Sequence, residues 1–259
     1  MEEHKMPLTE HLGDLRKRII VSFAALFITF LISFNYSEDI FRFIMFPLKY
    51  NLDFSLKNMY IHFVPQDKLQ NTKLVFLAPA EAFWMNIKVA FVAGLILALP
   101  VIFYQLWKFI SPGLLHKEKR YVVPFILLAT SLFLIGAAFC FFIVLPFAMG
   151  FLLTYKVGDF LSPMLSVGNY VDFCLKFILA FGAVFELPIA IIFFTRMGIV
   201  TPKTLAKNRK YAILLAFVVA AILTPTPDAF NQTLMAVPII VLYEVGIILS
   251  RIFKRRKLE

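Results

Sequence analysis

Charge is scarce in this chain. Only 16% of its 259 residues are charged while 61% are hydrophobic, where soluble domains carry about 25% charged and about 45–50% apolar residues. That balance excludes a water-soluble globular protein, since a chain of this length could not hide so much apolar surface. Cysteine is nearly absent. Cys140 and Cys174 both fall in apolar runs and read as small buried residues, not as a disulfide or a metal pair. His4, His11, His62 and His116 form no metal-ligand pattern. There is no G-x-x-x-x-G-K-[ST] loop, no H-E-x-x-H pair and no G-x-S-x-G elbow, so no P-loop ATPase or hydrolase of those kinds is encoded. We therefore expect no catalytic residue, no metal and no cofactor, and no enzyme in the ordinary sense. The energy for any work must come from another subunit or from the membrane potential. The stretch MEEHKMPLTEH is polar and acidic, without the basic start and small-residue cleavage site of a secretory leader, which predicts no removable signal peptide.

Apolar runs are what the chain has in quantity. Six stand out: Ile19–Phe34, Ala82–Ile110, Tyr121–Leu145, Val171–Met197, Tyr211–Leu223 and Leu234–Leu249. Backbone polar groups in hydrocarbon must be paired within the chain, so these runs predict an all-α polytopic membrane protein of six transmembrane helices. A β-barrel would need many short alternating segments, which are missing. We expect a single integral membrane domain over residues 1–259, with a long outer loop at 35–80 and a basic tail at 251–259. The segment DIFRFIMFPLKY within that loop is too short to span and predicts an interfacial helix ended near Pro47. Tyr211–Leu223 and Leu234–Leu249 are also short, about 20 and about 24 Å of helix against roughly 30 Å of hydrocarbon. Such a hairpin must thin the bilayer, recruit flanking polar residues or sit behind partner helices, unless its helices extend further.

The net charge of +10 would suggest nucleic acid in a soluble protein, but its placement points to topology instead. Basic residues cluster before the first run (Lys5, Arg16, Lys17, Arg18), between the second and third (Lys108, Lys117, Lys119, Arg120), between the fourth and fifth (Arg196, Lys203, Lys207, Arg209, Lys210) and in the tail (Arg251, Lys254, Arg255, Arg256, Lys257). Positive flanks stay on the cytoplasmic side, which predicts cytoplasmic N- and C-termini. No nucleic-acid partner is expected; the lipid bilayer is.

Acids inside or beside the runs are the sharper clues, because an unpaired charge in the membrane costs several kcal/mol. Glu186 lies mid-run in AFGAVFELPIA, just before Pro188, whose ring frees a carbonyl one turn back and bends the helix. A carboxylate at such a bend should face protein or a water-filled cavity; the plain alternative is a protonated Glu capping freed backbone. Glu244 lies about two turns from Arg251 and partly reaches the interface. Asp228 and Gln232 flank the TPTPD turn, where Asp228 suits a cap on the sixth helix. Lys88 has the spacing to pair with Glu81, and Asp172 with Lys176. HLGDLRKR and LLHKEKRYVVP each place one acid, Asp14 or Glu118, among membrane-flanking cations. Topology requires the cations and leaves the acids unexplained.

PLTEHLGDLRKRI, FPL, LSPMLSVGNY, FELP, GIVTP, LTPTPD…Q…VP…YE and above all LPVIFYQLWKFISPGLLHKEKRYVVP at residues 99–124 resemble the TatC family, the polytopic receptor subunit of the twin-arginine protein translocase. The resemblance runs in order from Pro7 to Arg251. It implies a concave, cupped bundle of six helices in the bacterial cytoplasmic (inner) membrane. It also implies a receptor and scaffold that binds the Arg-Arg signal peptides of folded cargo and works with the proton-motive force. The family's signal-reading acids fall on Asp14 and Glu118, with Arg16 among the cations around them and Phe109 against the signal's apolar part. The family more usually has Glu where this chain has Asp14. Pro47 and the outer loop, with Glu81 at its end, resemble the outer cap, and Glu186 matches an intramembrane glutamate. Ala221, Ile222, Leu223 and Thr224 resemble the docking surface for single-span partners of the TatA and TatB type, and other copies of the chain are expected in the receptor complex. A reading from a different class is a proton-coupled secondary transporter or channel that uses Glu186 and Glu244 as relay carboxylates.

Overall fold

The structure is a computed structural model that describes residues 8–55, 60–65, 74–110, 122–154, 165–224 and 228–252. In chain order its elements are α1 (Leu8–Asn35), α2 (Ser37–Ile44), α3 (Phe46–Lys49), β1 (Tyr50–Ser55), β2 (Tyr60–Pro65), β3 (Leu74–Val75), α4 (Glu81–Ile110), α5 (Val122–Phe139), a π-helical turn (Cys140–Val144), α6 (Leu145–Thr154), β4 (Leu165–Ser166), α7 (Val167–Phe185), α8 (Leu187–Arg196), α9 (Pro202–Lys207), α10 (Arg209–Leu223) and α11 (Ala229–Ile252). Among the described residues the six predicted apolar runs are helical, apart from Glu186 and Met197 in the fourth. Five belong to helical stretches of 24 to 32 residues, long enough to cross about 30 Å of hydrocarbon. The exception is α10, whose 15 residues give only about 22 Å. The sixth helix extends well past its apolar run at both ends, so the expected shortness holds for one partner of the hairpin only.

Several helices outrun the apolar stretches that announced them. The first begins at Leu8, because a helix needs apolar side chains only where lipid surrounds it. The third continues past Pro146 to Thr154. A proline ring clashes with the carbonyl four residues back in a regular helix. Here a π turn sits immediately before it, with the Leu145 N–H bonded to the Cys140 carbonyl, and takes up one extra residue. The fourth run is interrupted where Pro188 requires: α7 ends at Phe185, and Glu186 stands between it and α8 with φ −76° and ψ −12°. Pro47 departs from the expectation. The amphipathic helix α2 already ends at Ile44, and Pro47 sits in the first turn of α3, a position where its missing N–H costs nothing.

The chain divides into two compact units, residues 1–42 with 83–131 and residues 43–82 with 132–259. In the first unit α1 and α4 touch backbone to backbone. A Cβ on Gly94 would lie 2.8 Å from the Cα of Phe30, so only glycine allows this approach. The Thr29 hydroxyl uses the closeness to donate to the Gly94 carbonyl at 2.8 Å. Trp107 and Phe125 join α4 to α5 with ring centroids 4.3 Å apart.

The second unit holds the larger core, with Tyr170, Phe177, Phe181, Leu145 and Met235 among its fully buried side chains. Two features of the long outer loop pack on it. The buried Tyr170 hydroxyl donates to the Ile44 carbonyl at 2.6 Å, and Phe43 stacks on Phe141 at 4.5 Å. Beyond α3 the loop folds into an antiparallel hairpin in which Tyr50 faces Pro65 and Ser55 faces Tyr60. Further on, β3 pairs in parallel with β4, Leu74 opposite Leu165. Helix α8 ends with Gly198 at φ 76°, the left-handed conformation that glycine adopts without steric cost.

Candidate functional site

The first candidate lies at the start of α1. Asp14 and Arg18 are one turn apart on the same face, and the guanidinium donates through Nε at 2.8 Å and through Nη2 at 2.6 Å. Both bonds fall on one carboxylate oxygen, Oδ2. The Asp14 side chain stays 31% exposed while that of Arg18 is 13% exposed. Arg18 thus lies against the protein and holds the acid in place, and Arg16 is exposed beside it. Phe109 is half-buried near the end of α4. Glu118, the second expected acid, lies outside the described residues.

Glu186 sits at the break between α7 and α8, where its own carbonyl accepts from the Ala190 N–H at 2.9 Å. Its Oε1 is buried with no hydrogen-bond partner among the described residues. Glu244 has different surroundings. Its two oxygens meet the Arg209 guanidinium as a fork, Nε to Oε1 at 2.7 Å and Nη2 to Oε2 at 2.8 Å. One residue away, the Tyr243 hydroxyl donates to the Leu205 carbonyl at 3.0 Å. Arg209 is a partner that the sequence reading did not name. The signal was available, because Arg209 and Glu244 lie at nearly equal chain distances from the centre of the TPTPD turn, as cross-hairpin neighbours must.

At the other end of that hairpin Asp228 caps α11 as expected: Oδ1 accepts from the Asn231 N–H at 2.7 Å and Oδ2 from its side-chain amide at 2.9 Å. Gln232 reaches across to the Phe217 carbonyl of α10 at 3.1 Å. Of the four residues expected to dock partners, Ala221 and Ile222 are exposed, Leu223 is half-buried, and Thr224 is buried with its hydroxyl bonded to the Ala220 carbonyl. Leu223 also lines a cavity of about 290 Å³ that it shares with Met149, Asn169, Tyr170, Asp172 and Lys176.

Glu81 is a junction. It accepts from the backbone N–H groups of Leu77 at 2.6 Å and Gly168 at 2.6 Å, and from the Ser166 hydroxyl. It therefore pins the start of α7 to the end of the long outer loop, beside the β3–β4 pair. The Leu77 contact is local, but those from Ser166 and Gly168 come from 85 residues and more along the chain, beyond any spacing rule. Pro47 is buried.

A family model described as Sec-independent protein translocase protein (TatC) matches residues 10–238. The chain belongs to the TatC family. It is 41% identical over 256 residues to a Sec-independent protein translocase protein TatC from Desulforapulum autotrophicum, covering 99% of this chain and 88% of that one. It is 39% identical to the one from Carboxydothermus hydrogenoformans, covering 99% and 98%. A solved structure, the crystal structure of a twin arginine translocase receptor, TatC, superposes with a TM-score of 0.79 at 38% identity, covering 95% of this chain and all of that chain. The protein is thus a multi-pass membrane component of a Sec-independent protein translocase, not an enzyme. TatC membership also accounts for the six-helix count, including the helix too short to span by length alone.

Proposed function

We propose that this TatC-family protein is the receptor and core scaffold of a twin-arginine translocase in the bacterial inner membrane, with both termini cytoplasmic. It binds the Arg-Arg signal peptides of folded cargo through Asp14 and Glu118. Each acid accepts one guanidinium, whose planar fork suits a carboxylate in two parallel bonds and which a lysine cannot imitate. The observation that carries the reading is the state of Asp14. It is half-exposed at the membrane edge, held by Arg18 through one oxygen only, so its other oxygen keeps its lone pairs for an incoming arginine. Arg16, Lys17 and the cations around Glu118 repel stray cations and raise selectivity. Phe109 meets the signal's apolar stretch. The positive-inside asymmetry of the connections supports the orientation.

The scaffold role rests on the hairpin of α10 and α11. Ile222 is 77% exposed at the end of a helix shorter than the bilayer, a surface suited to single-span partners of the TatA and TatB type and to further copies of the receptor. Glu186, with its unpartnered buried oxygen, serves the intramembrane part of the path. Movement of cargo draws on the proton-motive force.

The test is binding of a signal peptide to the purified protein, in Arg-Arg and Lys-Lys versions, before and after Asp14→Ala and Glu118→Ala. Tight binding of the Arg-Arg version only, lost in both variants, is expected; equal affinity across the set would overturn the receptor reading. Loss of cargo export in Glu186→Gln with intact peptide binding would favour the transporter-like use of that carboxylate. Crosslinks from Ala221–Thr224 to partner helices test the docking assignment, and no contact there would discard it.

A further inference from the structure

The connection from α8 to α10 carries more positive charge than orientation needs, and the structure orders it. Asn208 is the hinge of an elbow between α9 and α10, with φ −98° and ψ 18°: its N–H closes α9 on the Thr204 carbonyl at 3.1 Å, and its carbonyl opens α10 by accepting from the Ala212 N–H at 3.2 Å. At 100° per residue, Lys203 and Lys207 lie about 40° apart on α9, with Leu205 roughly opposite, and Lys210 follows Arg209 in the first turn of α10. Leu205 and Arg209 are the two residues that α11 holds through Tyr243 and Glu244. Those two are clasped, while Lys203, Lys207 and Lys210 are exposed.

Among the described residues no acid pairs with them. The sequence has no acid between Glu186 and Asp228, and Glu244 gives both oxygens to Arg209. The surroundings are those of a membrane surface. Tyr211 is 60% exposed with the Lys210 ammonium 5.1 Å from its ring centroid, an aromatic of the type that anchors at headgroup depth. Ile199 is 63% exposed on the chain leading into the elbow. The 15 residues of α10 fall short of the hydrocarbon by roughly 8 Å. A helix that short draws its flanks inward to the headgroups, with lysine stems along the apolar boundary and ammonium groups at the phosphates.

We infer that the Lys203–Lys207–Lys210 cluster is a binding face for anionic phospholipid headgroups, held in register by the Glu244–Arg209 and Tyr243–Leu205 contacts of α11. The face rests on the cytoplasmic orientation proposed above for its choice of leaflet, though not for its chemistry. The test reconstitutes the full chain in vesicles of phosphatidylcholine alone or mixed with phosphatidylglycerol, identical in both leaflets, and measures retention of a fluorescent phosphatidylglycerol around the protein. We expect preference for the anionic lipid, weakened about five-fold per lysine at low salt in single Lys→Gln variants and roughly a hundred-fold in the triple variant. The triple Lys→Arg variant should keep it, which guards against a misfolded Gln variant. Unchanged preference in the triple Lys→Gln variant would overturn the inference. Displacement of the lipid by inorganic phosphate would reassign the face to free oxyanions. Labelling of Ile199→Cys by an impermeant maleimide from outside intact cells would overturn the orientation alone.

Discussion

Two of the carboxylate–arginine pairs among the described residues, Asp14 with Arg18 and Glu244 with Arg209, are built differently. Asp14 and Arg18 are four residues apart on one helix, and the guanidinium meets a single carboxylate oxygen. Arg209 and Glu244 are 35 residues apart on two helices, and the guanidinium meets both oxygens. The first acid is steadied but still has accepting capacity. The second is engaged at both oxygens, and with Tyr243 it clasps the α9–α10 elbow to α11. The same two side-chain types thus leave one carboxylate oxygen without a bond among the described residues in one place and tie two helices together in another. Both acids accept two bonds; what separates them is that Asp14 takes both on one oxygen while Glu244 takes one on each, which residue type alone does not reveal.

The largest effect expected from this contrast is on recognition. Asp14→Ala should weaken Arg-Arg peptide binding about ten- to a hundred-fold, on the order of 1.5–3 kcal/mol for a charge-assisted hydrogen bond. Glu244→Ala should leave that affinity within two-fold or so. Titration of labelled peptide onto each purified variant decides the matter, and equal losses would erase the distinction. Next comes the clasp. With side chains 49% and 35% exposed, the Arg209–Glu244 pair is partly screened, and Glu244→Gln should destabilise the elbow by about 1 kcal/mol. Faster amide exchange over Leu205–Tyr211 would report it, and Arg209→Lys should fall between, since an ammonium cannot form the fork. Unchanged exchange would mean that Tyr243 suffices. The smallest effect concerns Arg18. Arg18→Gln should alter thermal stability by only about 0.5 kcal/mol, the worth of a helix ion pair at this spacing. It should nevertheless narrow the ratio between Arg-Arg and Lys-Lys binding, because the acid loses the group that holds it in place.

Legibility from the sequence follows the range of the interaction. The Asp14–Arg18 turn, the interruption before Pro188 and the Asp228 cap all depend on residues within about four positions, where helix geometry leaves few options. The apolar runs were legible because lipid leaves the backbone little alternative to a helix. The β1–β2 hairpin in the outer loop, the carriage of α6 past Pro146 and the grip of Glu81 on Ser166 and Gly168 were not. Each is decided by partners across the fold or by how neighbouring helices pack. Pro47 shows the ambiguity of a local signal: proline breaks a helix interior and also opens a helix, and here it is buried in the first turn of α3.

By itself the sequence determined that this chain crosses a membrane as helices, which side its basic flanks favour, and that acids sit where topology needs none. Those properties are sums over local residues, hydrophobicity and charge, that survive any arrangement of the helices. Only the tertiary structure decided which acids are already satisfied. Glu244 meets Arg209 with both oxygens, Glu81 meets a hydroxyl and backbone amides, and Asp14 has one oxygen without a bond among the described residues. Hydrogen bonds act over about 3 Å, and which groups come that close is settled by packing.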